Sequence, residues 1–132
     1  MKALDTNILV RFLTNDDEKQ AKKVYALFKQ AEQSKETLFV PQLVVLELIW
    51  VLESAYQVSR KHIIDVIGGL LLMSILQFEN QHAIQQWCQA AQKNKADLSD
   101  LLIAYTAKAN QCSTVLTFDK KAANVDVFEL VK

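Results

Sequence analysis

Turn-forming residues are scarce: the chain has two glycines and one proline in 132 residues. Sandwiches and barrels of many short strands need such residues at every turn. The composition argues against them and favours a helix-rich fold with few tight turns. Metal-binding soft ligands are scarce too. Cys88, Cys112, His62 and His82 are the whole set, with no CxxC or HxxxH spacing. A structural zinc site needs about four such ligands and would consume all of them, so lone thiols in a reducing compartment are the simpler expectation. Neither charge is in excess, with 15 Lys+Arg against 15 Asp+Glu. That excludes a uniformly basic nucleic-acid binder but not a basic stripe beside an acidic site. No long hydrophobic run is present either. Ile63 to Leu76 is interrupted by Asp65 and Gly68-Gly69 and falls short of the ~20 residues of a membrane span. Met1-Lys2-Ala3-Leu4-Asp5 carries charge too early for a signal peptide. The expectation is a soluble, cytoplasmic protein with no membrane contact.

What is present is apolar: 51% of residues are hydrophobic, enough for a normal core in one domain spanning 1–132. A short apolar opening, Lys2-Ala3-Leu4, precedes Asp5, and Ile8 to Leu13 reads as a short helix. Asn15 is the expected cap of the next helix, with acids in its first turn. Ala21, Val24, Tyr25, Phe28 and Ala31 form its buried stripe at helical spacing. Strands are expected at Thr37–Val40, Ser74–Phe78, Thr114–Thr117 and Val127–Val131, and a short helix at Lys120–Ala123. Pro41 opens a helix through Ala55, Ser59 caps another, Asn80 a third through Ala91, and Asp97 to Asp100 begin a fourth. That last helix buries Leu98, Leu101, Leu102, Tyr105 and Ala109. Short strands alternating with helices predict an α/β fold with a parallel sheet.

Sites in such folds form beyond the carboxyl ends of the strands. Asp5 follows the first strand and Asp119 follows the Thr114–Thr117 strand. Asp100 opens the helix before that strand, and Glu47 lies in the helix after Leu38–Val40. Glu47 stands among Leu43 to Leu52, a helix apolar nearly all round, which should be buried or form an interface. An ionised Glu in such surroundings needs a cation, and no Lys or Arg lies between Lys35 and Arg60. The alternative is a solvated helix edge. Asp97 and Asp100 read equally as a capping pair, and Asp119 as a turn residue. Polar Thr6 and Asn7 after an apolar strand need specific hydrogen-bond partners. Four acids at one locus would repel and raise one another's pKa values. A divalent cation is the natural remedy, and oxygen-only donors select Mg²⁺ or Mn²⁺ over zinc. Such an ion polarises a phosphoryl oxygen and activates water.

Four segments taken in order, Asp5-Thr6-Asn7-Ile8-Leu9-Val10-Arg11-Phe12-Leu13, Val44 to Glu53 around Glu47, Asp97 to Ala104 around Asp100, and Leu116-Thr117-Phe118-Asp119, resemble the PIN domain, and most nearly the VapC-type toxins of bacterial toxin–antitoxin modules. Each segment alone is a weak signal; the four in register are a strong one. The resemblance implies a three-layer α/β/α fold around a short, mostly parallel sheet. It also implies a Mg²⁺- or Mn²⁺-dependent endoribonuclease held in check by an antitoxin protein. By position, the catalytic and metal-holding acids fall on Asp5, Glu47, Asp100 and Asp119, with Asp97 as an auxiliary acid and Thr6, Asn7 and Thr117 as supporting residues. Many relatives have an aromatic where this chain has Leu98. For the RNA backbone, the expected cations are Arg11, Lys120 and Lys121, and less so the Lys19/Lys22/Lys23 face. The apolar helix Leu43–Leu52 and the Ala21–Ala31 stripe predict a homodimer and an antitoxin docking near these helices.

Two other readings stay open. A PIN fold without activity would bind only RNA or protein, although all four acids are present. An aspartate-based phosphatase of the haloacid dehalogenase type also begins with a strand and an Asp, but it needs Asp-x-Asp, and the second position here is Asn7.

Overall fold

Strands of two or three residues cannot stand alone, so each is held by parallel neighbours and by the helices between them. The computed structural model describes residues 1–132 and divides them into two units, Met1–Glu79 and Asn80–Lys132. The first contains β1 (Lys2–Ala3), α1 (Thr6–Thr14), α2 (Glu18–Ser34), β2 (Leu38–Val40), α3 (Gln42–Ser54), α4 (Arg60–Leu71) and β3 (Leu76–Phe78). The second contains α5 (Gln81–Lys93), α6 (Leu98–Ala109), β4 (Val115–Thr117), a 3₁₀ turn at Ala122–Asn124 and β5 (Phe128–Leu130).

In the first unit the sheet order is β1-β2-β3, all parallel, with Lys2 opposite Leu38 and Leu38 opposite Leu76. Parallel neighbours need crossover connections, and the helices supply them. The apolar periodicity then decides which faces turn inward: Leu9, Val10, Val40, Val45, Leu48, Ile49, Ile63 and Ile67 are almost fully buried. Phe12 of α1 packs at a tilt against Phe28 of α2 at 4.8 Å and meets Tyr25 edge-on at 5.3 Å, the latter a favoured aromatic geometry. In the second unit β4 and β5 pair in parallel, Leu116 opposite Glu129. Trp87 of α5 is fully buried and its Nε1–H donates to the Leu98 carbonyl at 2.8 Å, tying α5 to the start of α6.

Several expectations change in detail. Asn15 does not cap α2. It closes α1 in the left-handed region, at φ 59°, which an Asn tolerates better than most side chains. The α2 cap is Asp17, whose Oδ1 accepts from the Gln20 N–H at 3.1 Å. Of the expected α2 stripe Ala21, Val24, Phe28 and Ala31 are buried, but Tyr25 is exposed, with its hydroxyl donating to the Phe12 carbonyl. Most of that stripe is thereby consumed inside the unit, with Tyr25 left at the surface. In α6, Ala104 joins the buried face and Ala109 is exposed. The short helix expected at Lys120–Ala123 is the 3₁₀ turn two residues later. The shortage of glycine also shows in the backbone. Asn15, Lys35, Gln57 and Gln111 all adopt positive φ, a conformation worth roughly 1–2 kcal/mol against an L side chain, while both glycines sit inside α4. No helix is long and apolar enough to cross a membrane.

Candidate active site

In the first unit the carboxyl ends of β1 and β2 lead directly into α1 and α3. Asp5 is the N-cap of α1: its Oδ1 accepts the Thr6 backbone N–H at 2.8 Å. The side-chain oxygen there satisfies an N–H that the helix itself leaves unpaired. Thr6 is the one buried polar residue of the chain, and its hydroxyl donates to Glu47 Oε1. The two motifs, 41 residues apart in sequence, are thus joined through Thr6. Glu47 itself is solvent-exposed. The α3 helix buries Val44, Val45, Leu48, Ile49 and Leu52, while Leu43 (77% exposed) and Trp50 (63%) share the open side with Glu47. The expectation of a buried Glu needing a cation is therefore corrected to a solvated helix edge, because the core takes one stripe of this helix and leaves the other. Asn7 lies exposed in the first turn of α1.

In the second unit three acids share one electrostatic neighbourhood. Asp97 caps α6, its Oδ1 accepting from Ser99 N–H at 3.0 Å and Asp100 N–H at 3.1 Å. The capping reading of Asp97 is correct, while Asp100 makes no cap of its own. Partial burial pushes the Asp100 carboxyl above the usual carboxylate range, and the charges of Asp97 and Asp119 push it further. Asp119 follows β4. Its N–H donates to Thr117 Oγ1 at 3.0 Å, and its Oδ1 accepts from Lys121 N–H at 2.9 Å and Ala122 N–H at 3.4 Å. Asp5, Asp97 and Asp119 follow one design. One carboxylate oxygen is pinned by backbone N–H groups, so the side chain is oriented before any ligand arrives.

No group of three or more His, Cys, Asp or Glu side chains is gathered into a ready-made metal cage. The donor chemistry nevertheless fits a hard divalent cation: the acids offer only oxygen, and Asp100 carries the excess of negative charge that such an ion relieves. A soft metal is a poor fit. Cys112 is exposed, and burial raises the Cys88 thiol to about 11, so it stays protonated at neutral pH.

The expected RNA-binding cations differ in their surroundings. Lys120 and Lys121 are exposed. Arg11 is engaged: its Nε donates to Gln20 Oε1 at 2.5 Å and its guanidinium meets Asp16 at 3.2 Å. Tyr56 completes this network by donating to Asp16 Oδ2 at 2.6 Å. The Tyr56 and Thr14 hydroxyls, then Arg11, hold the Asp16 carboxyl below its ordinary 3.8. A depressed carboxylate stabilises the fold above its unfolded pKa and loses that contribution as pH falls through the folded value. Wild type is therefore expected to lose stability relative to Asp16→Asn below about pH 4, with the two converging in the acid. Thermal melts between about pH 7 and pH 3 check this; parallel curves would show that the network adds nothing. The network was not legible in the sequence, where Arg11, Asp16 and Tyr56 carry no shared motif.

The Thr6–Glu47 contact makes its own prediction. Thr6→Val keeps the buried shape but removes the donor. Losses of roughly 10- to 100-fold in metal affinity or activity are expected for such supporting contacts. Thr6→Ser should retain most of both.

A family model described as PIN domain matches residues 2–127. A VapC ribonuclease of Aquifex aeolicus (strain VF5) is 30% identical over 121 residues, covering 92% of this chain and 89% of that protein.

Proposed function

The chain belongs to the PIN domain family, and from that premise we propose that it is a VapC-type endoribonuclease whose reaction is carried by Asp5, Glu47, Asp100 and Asp119. The single observation that carries the reading is the PIN domain match over residues 2–127, and the gathering of Asp97, Asp100 and Asp119 in one electrostatic neighbourhood supports it. Charge accumulated against its own electrostatics supports a functional cluster. Asp5 and Glu47 of the first unit, and Asp100 and Asp119 of the second with Asp97 as an auxiliary, would supply the oxygen ligands for Mg²⁺ or Mn²⁺. When bound, the ion supplies Lewis-acid polarisation of a phosphodiester and lowers the pKa of water. The rest is done by the chain itself. Thr6 holds the Glu47 carboxylate in one orientation. Backbone N–H groups hold Asp5 and Asp119 by one oxygen each, leaving the other for a ligand. Thr117 fixes the turn that presents Asp119. Asn7 supports the Asp5 end. Lys120 and Lys121 meet the RNA backbone, as does Arg11, whose charge is already shared with Asp16.

The reading extends to partners. One relative is a VapC ribonuclease, and on that likeness this chain acts on RNA in the cytoplasm and is held in check by an antitoxin protein. The exposed Leu43 and Trp50 on either side of Glu47 support a homodimer or antitoxin contact along α3. Light scattering over a dilution series tests the dimer; a monomer throughout would count against it.

The activity test is incubation of a mixed RNA pool with the full chain in Mg²⁺, in Mn²⁺ and in excess chelator. Cleavage is expected with either metal and none with chelator. Cleavage that persists in chelator, or none under any condition, sinks the reading.

A further inference from the structure

Phe118 stands at 82% exposure between Thr117 and Asp119. Leaving a phenylalanine ring in water forgoes the burial that normally stabilises it, so a compensating use of the ring is to be sought. The position is rigid. Thr117 belongs to β4, and its carbonyl accepts the Val131 N–H at 2.8 Å. On the other side the Asp119 turn is closed by three hydrogen bonds. The ring is therefore presented by a fixed backbone. Leu116 of β4, two residues earlier, is itself 65% exposed. The surroundings of the two side chains differ in charge. Glu129 stands opposite Leu116, whereas Lys120 and Lys121 follow Phe118, both exposed.

Resting on the ribonuclease reading above, we propose that Phe118 is a stacking platform for one unpaired base of the RNA substrate, seating the nucleotide whose phosphate Lys120 and Lys121 address. A nucleotide is an aromatic face joined to an anion, and Phe118-Asp119-Lys120-Lys121 offers an aromatic face joined to two cations. Single-strand binding sites combine these two elements. Lys120 and Lys121 follow Phe118, whereas only Glu129 stands opposite Leu116, so the phosphate of the stacked nucleotide is seated on the lysine side. Stacking is tolerant of base identity; Phe118 accordingly positions the substrate and demands a single-stranded site without reading sequence.

The test uses Phe118→Ala, Phe118→Leu and Phe118→Tyr in the full chain. Each is measured with a fluorescent single-stranded oligoribonucleotide for cleavage in Mg²⁺, and in an Asp5→Asn background for binding by anisotropy. Loss of a base stack predicts a rise of roughly tenfold in KM and in Kd for Ala and for Leu, with kcat less affected and Tyr close to wild type. Replacing one nucleotide by an abasic site should weaken the Phe118 protein by the same factor and leave Phe118→Ala unmoved. Binding unchanged in Phe118→Ala overturns the proposal. Full function in Phe118→Leu also overturns it, and reassigns the face to a protein partner. Wild type that cleaves while Phe118→Ala matches it leaves the ribonuclease reading standing and removes only this one. Phe118-dependent binding without any cleavage does the reverse.

Discussion

Asp5→Asn, Glu47→Gln, Asp100→Asn and Asp119→Asn are each expected to lower metal-dependent RNA cleavage at least about 100-fold, the scale on which removing one preorganised charge from a reacting centre acts. The amides keep size and polarity, so folding should survive. The informative comparison is stability without metal. Asp100 is held above its ordinary range by burial first and by Asp97 and Asp119 next. A raised carboxyl destabilises the fold at pH above its folded value, and the penalty fades as pH falls through that value. Metal-free Asp100→Asn should therefore melt no lower than metal-free wild type at pH 7. Adding Mg²⁺ should raise the wild-type melting temperature and leave that of the variant nearly unchanged. Calorimetry in chelator and in Mg²⁺ reads both. An inactive variant that is also strongly destabilised would mean that Asp100 is structural.

Trp87→Ala carries the largest expected effect on folding. The indole is fully buried and spans α5 to α6. Truncations of this kind cost about 3–5 kcal/mol, a large share of the 5–15 kcal/mol that a domain has in total. Urea unfolding should show the midpoint fall steeply, and residues 80–132 should lose protection from hydrogen exchange first. Trp87→Phe separates packing from hydrogen bonding. It keeps most of the apolar volume but leaves the Leu98 carbonyl without the indole N–H, a difference of about 1 kcal/mol beyond the volume term. Leu98 directly follows the Asp97 cap, so Trp87→Phe should also weaken cleavage several-fold while the chain remains folded. Activity equal to wild type would show that the indole is only core.

Local chemistry made much of this legible. Ser59 and Asp97 cap their helices because a short side-chain oxygen reaches an N–H two or three residues away. The order of strands and helices followed from apolar periodicity. Errors fell where two local signals compete. Asn15 suits a helix cap and a left-handed C-terminus equally, and the length of α1 decided for the latter. The α3 residues Leu43 to Leu52 are apolar nearly all round, so periodicity could not say which stripe the core would take.

By itself, then, the sequence determined the α/β class, the family and an all-oxygen set of acids suited to a hard cation. Those properties depend on residue type and on order along the chain. Tertiary structure alone decided that Thr6 bonds Glu47, that Arg11 is shared with Asp16 and Tyr56, and that Phe118 stands open to solvent. The reason is range: the partners of Thr6 and of Arg11 lie as far as 41 and 45 residues away. Contacts at such separations are set by how helices pack, which no window of the sequence encodes.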